Sequence, residues 1–269
     1  MPIGADSQNP ASTQAQLRPG LAGPPTEGTL VPSLVTEALE GVGVGNAHLV
    51  PVWENEAGGL TFSVARRGAE HPADLYVKWN PATSGESLAT ETERLRWLQG
   101  RHPAPRVVDL VTNADEEVLI THALPGQSAV SKRWREEPET ALRALGRGLR
   151  LLHELPTANC PYDWGVESRK SIKDTPPSVL GQAPPIDKLV VCHGDPCAPN
   201  TLIGEGGQFL AHVDMGRLGL ADRWADLAVI TTSLEWNYPR YNEATFWSSY
   251  DLTPDRERIE YYRLLWDAE

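Results

Sequence analysis

Apolar and polar positions follow two periods along this chain, strand-like toward the front and helical toward the back. From His48 to Val77, short apolar runs are broken by Gly58-Gly59 and by Arg67-Gly68-Ala69-Glu70, which predicts antiparallel strands joined by turns. Leu75 to Trp79 predicts a further strand carrying one cation, Lys78. In ESLATETERLRWLQG the period changes, with Leu88, Glu91, Leu95 and Leu98 at offsets of three, seven and ten. Glu91 therefore shares an apolar helical face, whereas Glu93 lies off it in solvent.

RVVDLV and EVLITHALPG predict two strands around the turn-forming Asn113-Ala114-Asp115, the second ended by Pro125-Gly126. A helix follows, with Leu142, Leu145, Leu149 and Leu152 at helical spacing. Residues 156–188, rich in Pro and Ser, predict a loop-dominated connection of a length that compact domains keep for function. LVVCH predicts a strand, TLIG and QFLAHVD a hairpin around Glu205-Gly206-Gly207, and ADRWADLAVITTSLEW the start of a helix. The last helix is expected to begin with Thr253 as its cap and Pro254 in its first position. Residues 1–30, with few large apolar side chains, read as a disordered tail. The fold class is α+β, and no internal repeat is visible.

With 269 residues, 40% of them apolar, the chain can build one large domain or two small lobes. A formal charge of -12 excludes nucleic acid as the main partner, because phosphates would be repelled away from any local basic patch. A cationic or small neutral ligand fits better. Cys160, Cys192 and Cys197 are odd in number and lack metal-ligand spacing, so a reducing cytoplasm is the expected compartment. No apolar stretch reaches the ~18 residues of a membrane span, and the first residues lack the pattern of a signal peptide.

The densest chemistry lies in His193-Gly194-Asp195-Pro196-Cys197-Ala198-Pro199-Asn200, with Asp214 following on the hairpin. Asp195, just after a strand, could accept a hydroxyl proton; Asn200 and Asp214 offer the hard oxygens that Mg²⁺ prefers. Each residue singly also suits a turn or cap. Lys78 in an apolar strand and Glu91 on an apolar stripe would each be costly alone, and pairing them removes both costs. A buried ion pair stabilises little, so holding phosphate oxygens explains this one better than stability does.

LYVK, the helix glutamate in ETERLRWL, VVCHGDPCAPN, HVDMGRLGLADRWADLA and DRERIEYYRLL together resemble the aminoglycoside phosphotransferases of the 3' and 3'' types, relatives of protein kinases. The resemblance covers about residues 48–265. It implies a protein kinase-like two-lobed fold, with a nucleotide-binding lobe of antiparallel sheet over 31–123 and a mainly helical catalytic lobe over 124–269. It also implies transfer of the γ-phosphate of ATP to a 3' or 3'' hydroxyl of the antibiotic. Lys78, paired with Glu91, would contact the α- and β-phosphates; Gly58 and Gly59 would lie in the covering loop. Ala123 and Leu124, at the end of a hinge starting at Thr121, would meet adenine through backbone groups. Asp195 would be the base, and Asn200 and Asp214 would hold Mg²⁺. Arg217 would floor the substrate cleft or instead pair with Asp222 or Asp226.

Two departures bear on the acceptor. The connection before VVCHGD is shorter than in the antibiotic kinases, where that region supplies acidic contacts. The ending LLWDAE leaves Asp267 and Glu269 as substrate-binding substitutes, and Thr232-Ser233, with Glu235 nearby, replaces an Arg-Asp pair. Trp164, Trp236 and Trp247 could line a sugar cleft, though packing is the commoner use of such rings. Cys197 could be reactive or simply packed. A metabolite alcohol as acceptor, or a nucleotide-binding module without catalysis, are the rival readings. The expected partner is a small molecule, with no nucleic acid or membrane, and the chain is expected to be a monomer or weak homodimer.

Overall fold

The computed structural model describes residues 22–26, 28–65, 73–169 and 181–268. The Arg67–Glu70 turn and most of the expected tail lie outside the described residues. Within the expected tail, Gly23 pairs by two backbone hydrogen bonds with Glu54, at 2.8 and 2.9 Å.

A five-stranded antiparallel sheet forms the front of the molecule: β1 (His48–Glu54), β2 (Leu60–Ala65), β3 (Leu75–Pro81), β4 (Val107–Thr112) and β5 (Glu116–His122), in the order β1-β2-β3-β5-β4. Strand alternation decides what each face meets. Phe62, Val64, Val77, Val118 and Ile120 are buried against Leu34, Val35 and Leu39 of α1 (Ser33–Gly41), a helix that the sequence pattern did not reveal. Lys78 is one residue from Val77 and sits opposite Leu119 in the register, so it faces the other side of the sheet. There α2 (Leu88–Leu98) packs, with Leu88, Glu91, Leu95 and Leu98 buried as the spacing predicts. Ser87 caps α2 by accepting from the Thr90 amide, at 3.2 Å.

The back is mainly helical. After β6 (Gln127–Ser128) come α3 (Lys132–Glu136) and α4 (Pro138–His153), then β7 (Leu189–Cys192), β8 (Thr201–Ile203), β9 (Phe209–His212) and β10 (Gly219–Asp222). Three helices end the fold: α5 (Trp224–Asn237), α6 (Glu243–Tyr250) and α7 (Arg256–Asp267). β10 corrects in part the sequence reading, which placed its last two residues, Ala221 and Asp222, in a helix start: Gly219–Asp222 pairs antiparallel with β7. Four residues of little periodicity become a strand only because β7 offers a partner edge. α7 starts later than expected, since the Asp255 carboxylate, accepting from the Arg258 amide at 3.2 Å, caps it in place of Thr253. Trp247 is packed on Phe246 and Trp224 rather than lining a cleft.

The larger core runs through both halves, from Leu95 and Leu98 of α2 through Leu142, Leu145 and Leu149 of α4 to Leu227 and Leu234 of α5. Gly146 lets α6 lie directly on α4, because a Cβ there would sit 2.7 Å from the Phe246 carbonyl oxygen.

Behind the hairpin, His102, just past α2, meets His212 of β9 at 3.0 Å with stacked rings, both buried. Burial, reinforced by His193 and His153, pushes the His102 imidazole down to about 3, and burial with His102 holds His212 well below the usual range. Between the ordinary histidine value of 6.5 and about 3, the unfolded chain binds protons at these rings that the folded chain does not. Stability therefore falls as pH falls through this window, by at most about 1.4 kcal/mol per pH unit for each ring. His102→Gln should reduce the stability lost between about pH 7 and about pH 5 by roughly 2 kcal/mol, read by urea unfolding at each pH. An unchanged loss would mean that these rings do not set the acid response.

Candidate functional site

The site is assembled from four segments. Alternation on β3 presents Lys78 toward α2, and the helical stripe presents Glu91 back to it. The Lys78 ammonium donates to both Glu91 oxygens at 2.8 Å and to Asp214 Oδ1 at 2.9 Å. One cation thus joins the sheet, α2 and the turn after β9. Burial alone would lower the lysine, but Asp214 and Glu91 outweigh it and raise it above its ordinary value. Burial pushes Glu91 up, opposed by the ammonium, while the same ammonium overcomes the effect of burial on Asp214 and holds it low. Lysine stays charged and Asp214 stays ionised at neutral pH.

Asp214 has φ +60°, a left-handed conformation rare outside glycine and best tolerated by Asp and Asn. The turn carries the carboxylate over Lys78. In the loop before β8, Gly194 has φ +84°, and a Cβ there would run into the Arg217 carbonyl oxygen, so only glycine fits. The Asn200 amide donates to the Asp195 carbonyl at 3.0 Å, and the Asn200 carbonyl accepts from the Val213 amide at 2.9 Å. Asn200 is thereby tied both to the loop of Asp195 and to the residue preceding Asp214. Asp195 Oδ1 is buried without a hydrogen-bond partner, an acceptor left unused by the protein. Such an atom is costly unless a ligand donates to it.

A second network supports this loop. Asp226, fully buried on α5, accepts from the His193 amide at 2.6 Å and the Gly194 amide at 3.0 Å. His153 Nε2 donates to the same carboxylate at 3.0 Å, and its Nδ1 meets the Tyr250 hydroxyl at 2.7 Å. His193 Nδ1 accepts from the Asp195 amide at 3.3 Å, which leaves Nε2 to donate to the Val213 carbonyl at 3.0 Å. Ser233 Oγ accepts from the Ala198 amide at 2.9 Å. Asp226 and His153 did not emerge as site residues from the sequence, although an acid set among Trp224, Ala225, Leu227 and Ala228 carries the same signal as Glu91 on its stripe. Glu86 was also missed. Its carboxyl is raised chiefly by burial and next by Asp214, and it accepts from the Asn55 amide at 2.9 Å.

Asn55 Oδ1 in turn accepts from the Gly59 amide at 2.5 Å, tying the Gly58-Gly59 turn to Glu86. Gly58 has φ +82°, and a side chain at Gly59 would strike the amides of Asn55 and Asn80. In the hinge, the Ala123 amide is taken by the Asp74 carbonyl at 3.0 Å and the Leu124 carbonyl by the Gly126 amide at 2.9 Å. Among the described residues, the Ala123 carbonyl and the Leu124 amide take part in no such backbone pairing.

The expected substrate residues are more scattered. Arg217 stacks on Trp266, at 5.1 Å, and Trp164, at 5.8 Å. It does not make the alternative pairs with Asp222 or Asp226, which hold Arg258 and His153 instead. Glu235 faces α7, bonded to Arg263 at 2.7 Å, with part of its charge thereby neutralised. Asp267 is exposed at the end of α7, next to Trp266; Glu269 lies outside the described residues. Trp236 is exposed. The Cys197 thiol is pushed well up by burial and by the neighbouring Asp195, so it is a packed side chain and not a ready nucleophile.

Comparison with known proteins bears on the family and the fold. The model of the phosphotransferase enzyme family matches residues 53–170 and 177–262. A streptomycin 3''-kinase from Streptomyces griseus is 31% identical, over 86% of this chain and 94% of the relative. An aminoglycoside 3'-phosphotransferase from Streptomyces ribosidificus is 33% identical, over 81% and 93% respectively. Among solved structures, the aminoglycoside phosphotransferase APH(3'')-Id from Streptomyces rimosus, in complex with ADP and streptomycin, superposes with a TM-score of 0.66 at 25% identity, covering 88% of this chain and 97% of that one. No helix among the described residues is long and apolar enough to cross a membrane. Since the match runs through the sheet, the loop of Asp195 and the helices behind it, the chain belongs to the phosphotransferase enzyme family and is a phosphotransferase of kinase-like fold.

Proposed function

We propose that this phosphotransferase moves the γ-phosphate of ATP onto the 3' or 3'' hydroxyl of an aminoglycoside and so inactivates the drug. The observation that carries the reading is the Lys78 ammonium held between Glu91 and Asp214, beside a loop whose Asp195 keeps an unpartnered buried oxygen. Lys78, anchored by Glu91, can meet non-bridging phosphate oxygens. Asp195 Oδ1 can accept the acceptor hydroxyl's proton and aim its oxygen at phosphorus. Asn200 and Asp214 supply a hard oxygen donor set that suits Mg²⁺, which when bound neutralises charge on the phosphates. A cytoplasmic reaction fits ATP as the donor. Phosphorylation adds negative charge to a polycation, opposing its binding to RNA.

A metabolite alcohol is the second reading, favoured by Glu235, whose carboxylate is already engaged by Arg263. ADP release should be tested with streptomycin, kanamycin, choline and a panel of sugars. Turnover dependent on either drug, and absent with the metabolites, is the expected result. Turnover with a metabolite alone would transfer the site to the second reading.

A further inference from the structure

We infer that the groove between α4 and α6 is a binding site for a phosphate-bearing small molecule. The groove, of about 420 Å³, is lined by Arg143, Arg147, Arg150 and Glu154 of the α4 side and by Ser248 and Ser249 of α6. It shares no lining residue with the catalytic cluster, and the inference does not depend on which alcohol is phosphorylated.

The three arginines recur at helical spacing on the exposed face of α4, opposite its leucine stripe. Like charges one turn apart repel along a helix, and such a stripe is unusual in a chain of formal charge -12. Arg150 is answered within the protein, by Glu154 at 2.8 Å and Asp251 at 3.5 Å. Arg143 and Arg147 have no hydrogen bond or ion pair among the described residues. The close approach allowed by Gly146 sets the two serines alongside them, adding hydroxyl donors to the guanidinium forks. Three guanidiniums and one carboxylate leave the lining with two positive charges. A phosphate monoester, of charge about -1.5 to -2 at neutral pH, matches this, and guanidinium forks bind its oxygens in pairs. The volume exceeds a bare phosphate ion, leaving space for the group that bears it.

The test is titration of the ¹⁵N-labelled full chain with inorganic phosphate and with glycerol 3-phosphate, chloride holding ionic strength constant. The arginine Nε–Hε resonances, assigned by single substitutions, report the position of binding. Both probes should give saturable shifts of the Arg143 and Arg147 signals, with a midpoint of about 1 mM. The R143Q/R147Q double variant should abolish saturation at the remaining Arg150 signal while keeping its circular dichroism spectrum and its turnover. Should the double variant fail to fold, R143Q alone should weaken the Arg147 response about tenfold. A drift that chloride reproduces, or an Arg150 titration untouched by the substitutions, would overturn the inference.

Discussion

Asp195→Asn is expected to lower kcat by about 10²- to 10⁴-fold, the usual contribution of a positioned general base, with the Kd for ATP essentially unchanged. The substitution keeps size and shape, and the loop's ties run through backbone atoms of this residue: its amide to His193 and its carbonyl to Asn200. What changes is Oδ1, buried and without a partner. An amide there orients a hydroxyl but accepts its proton poorly, so the loss belongs in kcat. In the proposed reading nucleotide is held by Lys78 with Glu91, a pair that the variant leaves bonded. Single-turnover kinetics and ADP binding by calorimetry separate the two effects. A kcat within about tenfold of the parent would remove Asp195 from the role of base and recast it as a loop-shaping residue.

The second large effect is expected at Asp226. Its carboxylate is fully buried and accepts from the amides of His193 and Gly194 and from His153. Asp226→Ala would strand three donors at once, and breaking a buried charged network of this kind costs about 3–5 kcal/mol. Since total stability is about 5–15 kcal/mol for a typical domain, the urea midpoint should move far to lower concentration. Asp226→Asn should recover only part of the loss, because its amide nitrogen would face one of those donors. Activity measured where both proteins remain folded should still fall, as the two amides shape the loop that holds Asp195. A midpoint close to that of the parent would show that water replaces the carboxylate, and that the loop keeps its form without it.

The contrast between these two aspartates explains what could be read in advance. Asp195 stands in a dense local motif, with Asn200 within a few residues and Asp214 on the adjoining hairpin. Lys78 and Glu91 carry their own signal, since a cation in an apolar strand and an acid on an apolar stripe each demand a partner. Asp226 carried the same kind of signal, but its partners are two backbone amides and the His153 ring, all far away in the chain, and nothing local specifies them. α1 and β10 escaped for a related reason. Each is short, and each is stabilised chiefly by what covers it: the sheet face for α1, the edge of β7 for β10.

Arg217, Glu235 and Asp267 mark the point where local reading stops being informative about the site. Side-chain type says that a guanidinium or carboxylate wants a partner; it does not say which. Packing of α7 against α5 gives Glu235 to Arg263 and places Trp266 over Arg217.

The order of residues alone determined the period of most strands and helices, the pairing need of Lys78 and Glu91, and the oxygen-rich motif at Asp195, Asn200 and Asp214. These follow from spacing and from the cost of an isolated charge, both readable over a few residues. Tertiary structure alone decided that Lys78 also reaches Asp214, that Asp226 braces the loop of Asp195, and that an arginine-lined groove opens beside α6. Those outcomes depend on which distant surfaces meet, and burial of the shared core sets that.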